Sequence, residues 1–176
     1  MGKKIIKIDL SEKGLAKAIK EIEQYKNDIV QKTNTLRIRV AKYIADTAQS
    51  GFNKAIVDDL LKGGVKTAQV DVGITNQGNV SVVVANGEDA IWVEFGAGVH
   101  HNGVVGSSPH PNGNELGFTI GEYGKGMGKR DTWVYYEDGD KSRKVYTHGT
   151  PATMPMYNAV KQVTDDIQAI AKEVFK

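Results

Sequence analysis

Four histidines, His100, His101, His110 and His148, follow Glu94 in the second half of the chain. Imidazole and carboxylate are good zinc and iron ligands, so this set is the first candidate for chemistry, a small metal-dependent hydrolase. Adjacent residues of an extended segment point to opposite sides, which keeps His100 and His101 from readily sharing one ion. No His-Glu-x-x-His helix is present and the spacing fits no metal motif. The expectation is therefore surface or interface histidines, with the hydrolase kept as an alternative. Ser107 and Ser108 stand before Pro109 without the Gly-x-Ser-x-Gly turn that raises a nucleophile. The run Gly124-Lys125-Gly126-Met127-Gly128-Lys129-Arg130 resembles a phosphate loop only on the surface. Tyr123 stands where the first glycine belongs, and Arg130 where a Ser or Thr must hold magnesium. No glycine triplet of dinucleotide spacing follows a strand. Asp138 and Asp140 lack the 12-residue calcium pattern and read as turn residues. Lys125, Lys129, Arg130, Lys141, Arg143 and Lys144 alternate with Asp131, Glu137, Asp138 and Asp140, which describes a solvated face better than a phosphate track. The expectation is no enzyme, no cofactor and no metal.

Composition narrows the class. The chain has 176 residues, 40% hydrophobic and 25% charged, the values of one ordinary globular domain with a core of its own. Lys and Arg number 23 against 21 Asp and Glu, a net charge of +2, which argues against dedicated nucleic-acid binding. The absence of cysteine excludes disulfides, thiol nucleophiles and cysteine-ligated metals. No apolar run approaches the ~20 residues that span a bilayer. The start, Met1-Gly2-Lys3-Lys4, is basic but lacks the apolar stretch of a signal peptide. The expectation is a soluble intracellular protein with no membrane contact, in which the Asn79-Val80-Ser81 sequon carries no meaning.

The elements follow from periodicity. Residues 3–9 hold Ile5, Ile6 and Ile8 and predict a short strand, ending at an Asp9-Leu10-Ser11 helix cap. From Leu15 to residue 50 there is no proline or glycine, and Leu15, Ile22, Ile29, Leu36 and Tyr43 recur every seven residues, with Ile19, Val40 and Ile44 beside them. That is a helical stripe whose other seam positions, Lys26, Thr33 and Thr47, are too polar for a coiled coil. Thr33-Asn34-Thr35 offers a break, and the favoured reading is a helix pair packed on a sheet. Phe52, Ile56, Val57, Leu60 and Leu61 read as the last helical turns. Residues 66–74 and 79–85 alternate as strands around the turn Asn76-Gln77-Gly78-Asn79. Ala90–Phe95 is an ordered apolar segment, strand or helix, stopped by Gly96-Ala97-Gly98. Ten of the 20 glycines fall in 96–131, with Pro109 and Pro111. A loop so much longer than about 15 residues is usually functional or disordered. A second hairpin follows over 132–147, turning at Glu137-Asp138-Gly139-Asp140, and then a helix over 155–175 with Val160, Val163, Ile167, Ile170 and Val174 on one face. The fold class is α+β: a single domain, 1–176, with a mainly helical 11–62, a hairpin and core segment over 66–95, and the two helical regions packed on an antiparallel sheet of hairpins.

Two stretches carry more than element signals. One is Ala90-Ile91-Trp92-Val93-Glu94-Phe95-Gly96-Ala97-Gly98; the other is His148-Gly149-Thr150-Pro151-Ala152-Thr153-Met154-Pro155-Met156-Tyr157-Asn158-Ala159. In this order they resemble the phage tail-component family called gene-product-10-like, whose members are tail-completion or head–tail joining proteins of long-tailed bacteriophages, akin to the tail-completion protein Z of lambda. The chain differs in having Ala97 where a threonine is frequent, and a long insertion over 103–147. The resemblance implies a virion structural protein, assembled in the host cytoplasm, with no catalytic residues. Its partners would be other tail and neck proteins, and copies of itself in a ring closed by heterologous contacts. Trp92, Glu94, Phe95, Gly96, Gly149, Pro151, Pro155 and Tyr157 are the motif anchors, with Trp92, Phe95 and Tyr157 expected in or near the core. Residues 96–131 and the 133–147 hairpin are the expected contact elements. Within them the expected assembly contacts are His100, His101, Tyr123, Lys125, Lys129, Arg130, Trp133 and Arg143. Deleting 103–129 is then expected to leave a folded protein that fails to assemble. Another neck or minor capsid protein is the alternative within the same class.

Overall fold

The computed structural model describes residues 5, 7–59, 64–97, 108–117, 133–147 and 149–176. Its elements are α1 (Glu12–Lys54), β1 (Ile56–Asp59), β2 (Gly64–Thr67), β3 (Asp71–Gln77), β4 (Val80–Asn86), α2 (Ala90–Phe95), β5 (Trp133–Tyr136), β6 (Lys144–Thr147) and α3 (Pro155–Val174). Three antiparallel pairs, β1–β2, β3–β4 and β5–β6, make three separate two-stranded sheets. The fold is α+β, with a long N-terminal helix, a C-terminal helix and small antiparallel sheets. Most of the glycine-rich 96–131 segment lies outside the described residues.

Ser11 starts α1: its hydroxyl accepts from the Gly14 N–H at 3.1 Å, as the cap sequence predicts. Gly14 is required there, because a Cβ would stand 2.3 Å from the Asp9 carbonyl oxygen. The helix pair is corrected to one helix of 43 residues, about 65 Å long. Thr35 does not break it, since its hydroxyl donates back to the Gln31 carbonyl at 2.9 Å. The N-terminal strand is also corrected. The described residues at 5 and 7–9 form no strand, and Ile5 and Ile8 are exposed.

α3 runs antiparallel beside α1. Pro155 packs on Gly51, the Tyr43 hydroxyl donates to Asp166 at 2.7 Å, and the Lys32 ammonium reaches the Lys176 carbonyl at 3.2 Å. The β3–β4 hairpin covers a neighbouring strip of the same helix. Gln49 binds its base at Val70 and Val72, and Arg37 binds its tip at Asn76 and Ser81. The buried stripe of α1 is Ala41, Ala45, Ala48 and Phe52, whose spacing keeps one face toward the other layers. Small side chains let the helices and sheets close around Phe52, Val93 and Ala159, each 0% exposed. The seven-residue stripe is not the core face at its start: Leu15, Ile19 and Ile22 are exposed.

Two strand assignments change. Ile56 and Val57 are not helical turns but the start of β1, paired with Thr67 and Lys66. The predicted strand 66–74 is divided at Ala68–Val70, where the chain changes partners. Ala68 N–H donates to the Ala55 carbonyl at 3.0 Å, closing β1–β2. Beyond it Gln69 N–H donates to the Asp89 carboxylate at 3.0 Å, and β3 begins against β4. The second hairpin and the closing helix stand where the sequence puts them.

The Tyr43–Asp166 pair yields a pH prediction. The hydrogen bond to Asp166 raises the Tyr43 phenol above its ordinary 10.0, so folding favours the neutral form. Its contribution is complete below the unfolded value and is lost as pH climbs through the raised folded one. The stability advantage of the wild type over Tyr43→Phe is therefore expected to be constant up to about pH 10 and to shrink above it. Urea unfolding across that range checks this.

Candidate functional site

The two motif stretches meet. Asp89 opens α2, with its carbonyl accepting the Val93 N–H at 3.0 Å. The helix ends after six residues because Gly96 turns to φ 84°, where its N–H returns to the Trp92 carbonyl at 2.8 Å. The chain then pairs with the second stretch: Ala97 and Thr150 exchange both backbone hydrogen bonds, at 2.9 and 2.8 Å. The Val93 carbonyl accepts from Thr153 N–H at 2.9 Å, which delivers the chain to the start of α3.

That start lacks a cap of its own. Met154 occupies the N-cap position with φ 54° and no side-chain bond, and Pro155 at the first helical position has no N–H. The next two N–H groups, of Met156 and Tyr157, both donate to the Glu94 carboxylate, one to each oxygen at 2.9 Å. Glu94, 7% exposed, therefore caps α3 from another helix and places its charge at the positive end of the helix dipole.

Over this pair sits His110, 9% exposed, with Nε2 at 3.3 Å from the Glu94 carboxylate. The Asn112 N–H donates to its Nδ1 at 3.1 Å, which assigns the ring hydrogen to Nε2, pointing at Glu94. The ring stacks at a tilt on Phe95, 4.5 Å between centroids, and edge-on to Tyr157 at 5.3 Å. Ser108 ties the same segment down, its hydroxyl donating to the Phe95 carbonyl at 2.8 Å. Around this constellation runs a groove of about 600 Å³. Val83, Val84 and Ala85 of β4 form one wall, Met156, Tyr157 and Val160 of α3 face them, and Ile91 and Phe95 of α2 lie between.

The structure thus gathers most of the motif anchors. Glu94, Gly96, Gly149 and Pro155 are buried, and Phe95, Pro151 and Tyr157 half-buried. Trp92 is the correction: at 43% exposed it stands at the surface, because the short helix turns Val93 and Glu94 inward instead. Arg143 lies on the second hairpin, already bonded to Glu137 and Asp138 across the turn. Trp133 is described through its backbone alone. His100, His101, Tyr123, Lys125, Lys129, Arg130 and His148 lie outside the described residues.

No known protein family, curated protein or solved structure matches this chain. The site must be judged on its own chemistry. Both oxygens of Glu94 are occupied by backbone donors, and the imidazole of His110 is held at both nitrogens. Among the described residues no three His, Asp or Glu side chains converge to hold a metal ion. No helix among them is long and apolar enough to cross a membrane. The His110–Glu94–α3 unit was not read from the sequence. The available signal was Met154-Pro155, a helix entry without a Ser, Thr, Asp or Asn cap, which needs an acceptor from elsewhere.

Proposed function

We propose that this chain is a virion structural protein of a long-tailed bacteriophage, a tail-completion or head–tail joining component that works by assembly. The observation that carries the reading is the union of the two motif stretches. Residues 90–97 and 149–159 are knitted by the Ala97–Thr150 bridge and the Glu94 cap into one scaffold. Residues kept together for that purpose explain the resemblance better than two unrelated turns do. The Glu94 carboxylate caps α3, a structural role that suits an assembly component. Partners would be neighbouring tail and neck proteins and further copies in a ring, within a virion assembled in the host cytoplasm.

Native mass spectrometry of the purified chain, before and after chelator, tests this. The expected result is a closed ring free of metal, with portal, head and tail genes flanking the coding sequence. A monomer holding one zinc-sized mass per chain would overturn it in favour of the hydrolase.

A further inference from the structure

The groove beside Glu94 has a strand edge as one wall. In the β3–β4 register Val72 pairs with Ala85. The Val72 N–H points away from β4, donating to Gln49 Oε1 at 2.8 Å, so this is a non-hydrogen-bonded pair. By alternation Ser81, Val83 and Ala85 present their N–H and C=O groups outward from β4, toward the groove. The edge of β3 is protected at its base, where Gln49 mimics a strand through Val70 and Val72. The edge of β4 has no such guard among the described residues. Val80–Asn86 carries no charge and no proline, and Val80, Val82 and Val84 are exposed. An edge of this kind, beside an apolar groove, accepts an added strand.

The chain itself contains an unused strand. Residues 5–9 have a strand pattern, yet those described form no ladder, with Ile5 81% exposed and Ile8 53%. Their own β4 is out of reach. The first hydrogen bond of α1 to the end of α3 is at Lys32 and its first to the hairpin tip at Arg37, among the described residues. From Glu12 to Arg37 the helix rises about 38 Å, whereas Ile5–Ser11 stretches to about 25 Å at most. The first turns of α1, where Leu15, Ile19 and Ile22 are exposed and Ala18 is buried, therefore carry the segment away from its own groove.

We infer that residues 5–9 of one copy add as a strand to the outer edge of β4 in the next copy. Ile8 lies in the groove between β4 and α3, while Lys7 and Asp9 alternate to the opposite side. Passed from each copy to the next, with donor and acceptor surfaces different, the contact is heterologous, and where its rotation closes it makes a ring. The inference rests on the assembly reading, and it names the contact that builds the ring.

The absence of cysteine allows a clean test with the full chain. Single variants Ile8→Cys and Val84→Cys are mixed and treated with a short bismaleimide, and the double variant is treated alone. The expected result is a cross-linked pair from the mixture and a ladder of multimers from the double variant. Adding Ile8→Asp to an otherwise wild-type chain should weaken self-association at least about tenfold, the worth of one buried isoleucine. At a dilution where both proteins are monomeric its melting temperature should match that of the wild type, since Ile8 is exposed in the single chain. A cross-link within one chain, or none at all, overturns the inference. Rings seen by native mass spectrometry without the cross-link would remove the strand exchange and leave the assembly reading standing. A strict monomer would remove both.

Discussion

Replacing Glu94 with alanine is expected to lower stability by about 3 kcal/mol. The loss has two parts. A helix cap is worth about 1–2 kcal/mol, and buried donors left without an acceptor cost about 1–3 kcal/mol. Here the two N–H groups of Met156 and Tyr157 and the Nε2–H of His110 would all lose their acceptor at once. For a chain of this size the melting temperature should fall by roughly 6–12 °C. Hydrogen exchange should accelerate first at Met156 and Tyr157, before global unfolding, because the first turn of α3 loses its anchor. Glu94→Gln keeps one acceptor but faces a donor with a donor, and it removes the charge at the helix end. About 1–2 kcal/mol is expected for it. A Glu94→Gln protein with an unaltered melting temperature would show that the carboxylate is held for something other than the cap.

Phe52→Ala should cost about 3–5 kcal/mol, the usual range for deleting a fully buried ring. Phe52 is 0% exposed and joins α1, through Ala48 and Ala55, to Val93 of α2 and Ala159 of α3. The surrounding core is made largely of alanines, which have no length with which to fill the space. The cavity is therefore expected to persist, and the cost to fall in the upper part of that range. Phe52→Leu should cost less than half as much. Chemical denaturation checks both through the midpoint, with an unchanged slope showing that the fold is retained. Phe52 also lines the groove under β4, so the alanine variant should weaken self-association as well.

The elements legible in the sequence were those whose cause is local. α1 follows from a long stretch without glycine or proline and from Ser11 at its start. Both hairpins follow from turn chemistry, at Gly78 and at Asp138-Gly139, where φ is positive at all three residues. α3 follows from apolar residues at spacings of three and four. Ile56-Val57 was misread because Phe52, Ile56 and Val57 satisfy a helical period as well as a strand. Only the pairing with Lys66 and Thr67 decides between them. The break at Ala68–Val70 was invisible for a related reason: its alternation is continuous, and the change of partner is enforced by Ala55, Asp89 and Gln49. The burial of Trp92 was overestimated because hydrophobicity says that a side chain prefers the interior, not which face of a six-residue helix is offered to it.

By itself the sequence determined the α+β class, two of the three antiparallel pairs and the closing helix, and the two stretches that anchor the fold. These depend on backbone preference and on apolar period, which act between residues a few positions apart. The tertiary structure alone decided that Glu94 caps a helix that starts far along the chain, at Pro155, that His110 closes over it, and that Gln49 guards one edge of a hairpin while no described residue bonds to the other. Each joins groups distant in the chain, through hydrogen bonds that have no local signature. The direction of the long helix decides the rest, since it carries Ile5 and Ile8 beyond the reach of their own β4 edge.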